Sequence, residues 1–137
     1  MSAVGYSGTP LARKLGLKSG QRLLLHHAPP GYLDGTLLPR PEDLHIVDRP
    51  SAEVDIAHAF LVEATELAAL LKAWREQLRA DAALWISWPK KASKVPTTIT
   101  EDRIRELALP LGWVDVKVCA VDATWSGLKL VVRQALR

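Results

Sequence analysis

Few cysteines, no long apolar run and no strong charge bias mark this chain, and each scarcity removes a class of function. One cysteine, Cys119, stands in 137 residues, so no internal disulfide forms and no CxxC metal or redox pair exists. No apolar run nears the roughly 18 residues that a membrane helix requires. The start has no long apolar core behind a basic segment, which gives the expectation of no signal peptide and a cytoplasmic location. The formal charge of +3 is far from a strong nucleic-acid signature. No repeat and no low-complexity segment interrupts the chain. What remains is ordinary for a folded globule, with 48% hydrophobic and 24% charged residues. The length fits one domain, residues 1–137.

The first twenty residues read as an arm holding a short helix. Thr9 can cap it, Pro10 suits its first position and Gly16 its left-handed stop, with Leu11 and Leu15 docking one face. Residues 21–27 form a strand whose Leu23, Leu24 and Leu25 are buried on both faces. Residues 28–42 carry four prolines and two glycines, which restricts them to loop with at most one helical turn. Residues 44–47 make a short edge strand of undetermined direction, and residues 54–62 a third strand.

An amphipathic helix follows, with Leu67, Leu70, Leu71, Trp74 and Leu78 on one stripe and Thr65 as its cap. Residues 83–88 form the next strand. A second helix opens at Thr100, with Ile99 and Ile104 at staple spacing and Pro110 and Gly112 at its end. Residues 113–121 and 127–133 are strands joined by a hairpin loop over 122–126, where Ser126 and Gly127 supply the bend. Strand–helix–strand units require parallel pairing, and the closing hairpin adds an antiparallel strand. The fold class is therefore α/β.

Candidate site residues gather at strand ends, where open α/β sheets bind ligands. Lys90, Lys91 and Ser93, just past a strand, make an anion pocket of two point charges and a hydroxyl, set against a merely solvated basic loop. Trp88 offers a stacking face, or half-buried packing. Tyr6, Ser7 and Thr9 precede a helix start and form a candidate anion cradle, or a cap and tether. His27 and Tyr32 border the proline-rich loop, and Asp48 ends the second strand where a ribose-binding acid would stand.

His26 and His27 are adjacent on a strand and so point to opposite faces. His45 and His58 have no ligand spacing, and the expectation is no metal. His58 reads as a hydrogen-bonded core residue and Cys119 as an inert small hydrophobe.

Residues 54–133 resemble the second half of class I S-adenosylmethionine-dependent methyltransferases, in the strand after Glu53, the helix, the ALWISWPK strand, a further helix and the closing hairpin. Across nearly its full length the chain is also similar to an uncharacterised bacterial family, domain of unknown function 3052. Residues 5–10 (GYSGTP), 88–93 (WPKKAS) and 116–127 (VKVCAVDATWSG) carry that likeness. The resemblance implies a three-layer, Rossmann-like open sheet, mostly parallel with a C-terminal antiparallel hairpin and an approximate strand order of 2-1-3-4-6-5.

It also sharpens one departure. Methyltransferases follow their first strand with a glycine-rich loop, whereas here His26-His27-Ala28-Pro29-Pro30-Gly31 loses two backbone donors and keeps one glycine. On that basis S-adenosylmethionine is admitted but disfavoured. The leading expectation is a noncatalytic methyltransferase-like domain that binds a small anionic ligand or a protein partner. The alternatives are a remodelled methyltransferase and, ranked last, a weak nucleic-acid module using Lys90, Lys91, Lys94, Arg103 and Arg105 beside Trp88.

Overall fold

Six strands form one sheet in the order β2-β1-β3-β4-β6-β5 in the structure, a computed structural model that describes residues 8–137. The strands are β1 (Arg22–His26), β2 (His45–Val47), β3 (Ile56–Phe60), β4 (Ala83–Pro89), β5 (Trp113–Ala120) and β6 (Trp125–Val132). The helices are α1 (Leu11–Leu15), α2 (Ala64–Gln77) and α3 (Glu101–Ala108). β2, β1, β3 and β4 pair in parallel, which fixes the direction of the short second strand, and β6 lies antiparallel between β4 and β5. The strand order is the one the resemblance implied.

Alternation along the strands divides the core into two layers. Ala57, Ala59, Leu84 and Ile86 face α2 and α3, where Leu67, Leu71 and Ile104 are fully buried against them. Ile56, Phe60 and Trp85 face the other way, under Leu11 and Leu15 of α1 and Tyr32 and Leu37 of the proline-rich segment. Each such leucine removed from water contributes about 2 kcal/mol. Two indoles tie the layers to the sheet. Trp85 Nε1 donates to the Leu15 carbonyl at 3.1 Å, and Trp113 Nε1 donates to that of Leu71 at 3.2 Å.

Local details depart from the sequence expectations for identifiable reasons. No side chain caps α1, which Pro10 precedes directly, so Thr9 is not its cap. Thr65 lies inside α2, and the helix start is satisfied from a distance by Thr98 Oγ1, which accepts from Ala64 N at 2.7 Å. Thr100 does cap α3, accepting from Arg103 N at 3.0 Å. β6 begins two residues earlier than expected because Asp122 makes the turn, its Oδ1 accepting from Thr124 N and Trp125 N at 2.8 Å each. Ser126 and Gly127 are thus ladder residues opposite Trp88 and Ser87, not the bend. Among the described residues no helix is long and apolar enough to cross a membrane.

Candidate functional site

β1, β3 and β4 run side by side in one direction, so their carboxyl ends share an edge of the sheet. At the β4 end, Trp88, Lys90 and Lys91 line a cavity of about 510 Å³ with Ile99, Thr100 and Ser126, within the size range of small-molecule sites. Lys90 N donates to the Thr124 carbonyl at 2.7 Å, locking this corner to the β5–β6 turn. Trp88 is mostly buried and shows the cavity little of its surface. Ser93 does not join it. Its hydroxyl donates to the Lys90 carbonyl at 2.6 Å and closes a single helical turn, so the expected third anion contact is spent on the backbone.

The β1 end is built differently from the sequence expectation. His27 has a φ of 59°, a left-handed conformation that ends the strand. Alternation stops there, and the two imidazoles stack on the same side with centroids 3.9 Å apart instead of pointing to opposite faces. Glu66, in the first turn of α2, brings Oε2 to 3.8 Å from His26 Nε2 and 3.6 Å from His27 Nδ1. Trp74, two turns further along α2, meets the His26 ring edge-on at 5.5 Å. Burial, then the neighbouring His27, lowers the His26 pKa against the opposing pull of Glu66.

Tyr32 lies on the opposite face and is sealed from any ligand. Its hydroxyl is 2.7 Å from His58 Nδ1, and His58 Nε2 is 2.6 Å from Ser87 Oγ. All three side chains are buried, and burial pushes His58 down to about 3. His58 is the hydrogen-bonded core histidine expected of it. Tyr32 is corrected from ligand contact to structural partner. Ser87 was not singled out from the sequence, where nothing distinguishes it from any strand serine.

The remaining candidates scatter. Tyr6 and Ser7 lie outside the described residues. Thr9 lines a separate hollow of about 550 Å³ with Arg13, Lys117 and Cys119, away from the Lys90 corner. Burial raises the Cys119 thiol, as befits a small hydrophobe. Asp48 is exposed, one residue beyond β2 and beside the end of β1. Of the basic set read for nucleic acid, Arg105 is engaged by Glu101, Asp102 and Asp115, and Arg103 pairs with Glu106.

No family model and no curated protein matches this sequence. Solved structures do. A Sulfolobus solfataricus protein assigned provisionally to the type 11 methyltransferases is 12% identical, with a TM-score of 0.63, covering 96% of this chain and 95% of its own. Aeropyrum pernix fibrillarin, solved with natively bound S-adenosyl-L-methionine, is 15% identical over 88% of this chain and 72% of its own, with a TM-score of 0.53. LepI in complex with the same cofactor is 10% identical, with a TM-score of 0.54, over 90% of this chain and 39% of its own.

These neighbours overturn the expectation that disfavoured S-adenosylmethionine, since chains of this fold hold it. Gly31, after the two prolines, has a φ of 82° and nothing within 4 Å of where a Cβ would sit. The chain has the fold of class I S-adenosylmethionine-dependent methyltransferases.

Proposed function

We propose that this chain is a remodelled S-adenosylmethionine-dependent methyltransferase domain, with the cofactor held at the ends of β1 and β2 and a small anionic acceptor in the β4 cavity. The observation that carries the reading is the near end-to-end superposition on a methyltransferase-type chain. The residues fit. Asp48, exposed beside β1, can accept from ribose hydroxyls, and Gly31 leaves its backbone open to a bound group. When bound, the cofactor supplies an activated methyl group. Lys90 and Lys91 would face the anionic end of the acceptor, with Glu101 on the same cavity open to a donor group of it. β1 and β4 are separated only by β3, about 10 Å by the ordinary strand spacing.

The reading replaces the noncatalytic expectation with its alternative. It keeps the likeness to domain of unknown function 3052 and a cytoplasmic location, which suits a chain whose lone thiol is half-buried and unpaired. Calorimetric titration with S-adenosylhomocysteine tests it. One saturable site is expected, competed by S-adenosylmethionine and weakened about ten-fold in Asp48→Asn, the loss of one hydrogen bond to a charged group. No heat at millimolar ligand would end it.

A further inference from the structure

We propose that His26, His27 and Glu66 form a three-donor site for a divalent transition metal of the zinc class, open to solvent at its fourth position. The site stands on its own observations and does not require the cofactor reading. Three features carry it. One ring nitrogen each of His26 and His27 and a Glu66 carboxylate oxygen all lie within 4.8 Å of one another. The pairs to Glu66 measure 3.8 and 3.6 Å, too long for hydrogen bonds. Metal–donor bonds of about 2.0–2.1 Å in a tetrahedron place donors about 3.4 Å apart, so rotation of the stacked rings that turns both nitrogens toward Glu66 would close this set around one ion.

The second feature is an orphan. His26 Nε2 is buried with no hydrogen-bond partner, alone in this among the buried side-chain polar atoms of the described residues. A buried nitrogen without a partner is costly, and this one lies 3.8 Å from the same Glu66 oxygen that approaches His27. The third feature is the backbone. His27 occupies a conformation that costs a non-glycine residue free energy, and that conformation is what stacks its ring on His26.

The donor chemistry selects the ion. Two imidazoles and one carboxylate suit zinc, copper, nickel or cobalt, whereas magnesium and calcium prefer oxygen shells. Trp74 meets the His26 ring edge-on at 5.5 Å and buttresses it. His27 and Glu66 retain 58% and 42% side-chain exposure, which leaves the outer side for a water. Three protein donors and one open position is the pattern of zinc sites that bind a further ligand.

The test is calorimetric titration of the full chain with zinc chloride at pH 7.5, after stripping with a chelator and without any adenosyl compound. One equivalent per chain is expected, with no binding of magnesium chloride. His27→Asn, which keeps a residue tolerant of positive φ, and Glu66→Gln should each weaken zinc by more than about ten-fold, and His45→Asn should not. Undiminished zinc binding in the His26→Asn/His27→Asn double variant would overturn the site. Should that variant fail to fold, visible absorption of the unaltered chain with cobalt chloride decides instead. Ligand-field bands of a low-coordinate imidazole site are expected, and the spectrum of hydrated cobalt alone would refute the proposal.

Discussion

His58 Nε2 lies 2.6 Å from Ser87 Oγ, and neither side chain reaches water. Burial holds the folded-state pKa of His58 at about 3, well below its ordinary 6.5. Below pH 6.5 the unfolded chain therefore takes up a proton that the folded chain refuses. Stability contributed by neutral His58 is complete above pH 6.5 and is lost as pH falls toward 3, with a slope approaching about 1.4 kcal/mol per pH unit. Denaturant unfolding at stepped pH should show this loss before the carboxylates titrate. Asp115, held low by its Arg105 hydrogen bond, adds acid sensitivity only below the ordinary carboxylate range. In His58→Gln the slope between pH 6.5 and 4.5 should shrink by one proton. An unchanged slope would remove His58 as its source.

The start of α2 yields a paired prediction. Ala64 N donates to Thr98 Oγ1, a residue 34 positions away, while Thr65 caps nothing. Thr98→Ala should cost about 1 kcal/mol, the usual value of a helix cap, and Thr65→Ala a few tenths at most. Chemical denaturation of the two variants side by side checks the ranking, and equal losses would contradict it.

That pair also shows what the sequence could and could not disclose. The strands and the two long helices were legible, because Leu23-Leu24-Leu25, the α2 stripe and the proline punctuation are local patterns with local causes, whereas the strand order came from the family resemblance. Thr98 was not legible, since its partner is distant and its own neighbours give no hint of a helix start. The site suffered in the same way. Lys90, Lys91 and Trp88 could be placed at a strand end from sequence alone, and they do line one cavity. The His26–His27 arrangement depends on a single backbone angle, and strand alternation applied one residue too far puts the rings on opposite faces. Ser93 and Tyr32 carry chemistry suited to a ligand but find protein partners first.

Gly127 is fixed by close packing within β6. A Cβ there would meet Trp85 Cε3 and Val121 Cγ2 at 3.3 Å and Ser87 Oγ at 3.4 Å. The indole is pinned by its bond to Leu15 and cannot swing away freely. Gly127→Ala is thus expected to destabilise by about 1 kcal/mol through overpacking, although alanine is the better residue for an unstrained strand. Gly127→Val should roughly double the loss. A thermal melt in which Gly127→Ala matches the parent would mean that Trp85 yields more readily than its hydrogen bond implies.

His27→Gly separates backbone strain from ring chemistry at the end of β1. An L-residue in the left-handed region is disfavoured by about 1–2 kcal/mol, and glycine escapes that while costing about 0.5–1 kcal/mol in unfolded-chain entropy. With φ at 59° for His27, a metal-free chain carrying glycine here should gain about 0.5 kcal/mol. The stacked partner ring is lost as well, and with it the contribution of His27 that, after burial, lowers the His26 pKa. The His26 pKa should therefore rise from its lowered position, with burial left as the depressing cause against the pull of Glu66. Thermal unfolding in chelator gives the first quantity, and imidazole proton shifts followed by NMR against pH give the second. A less stable variant with an unmoved His26 would show that the left-handed turn is set by the loop around it and that the two rings titrate independently.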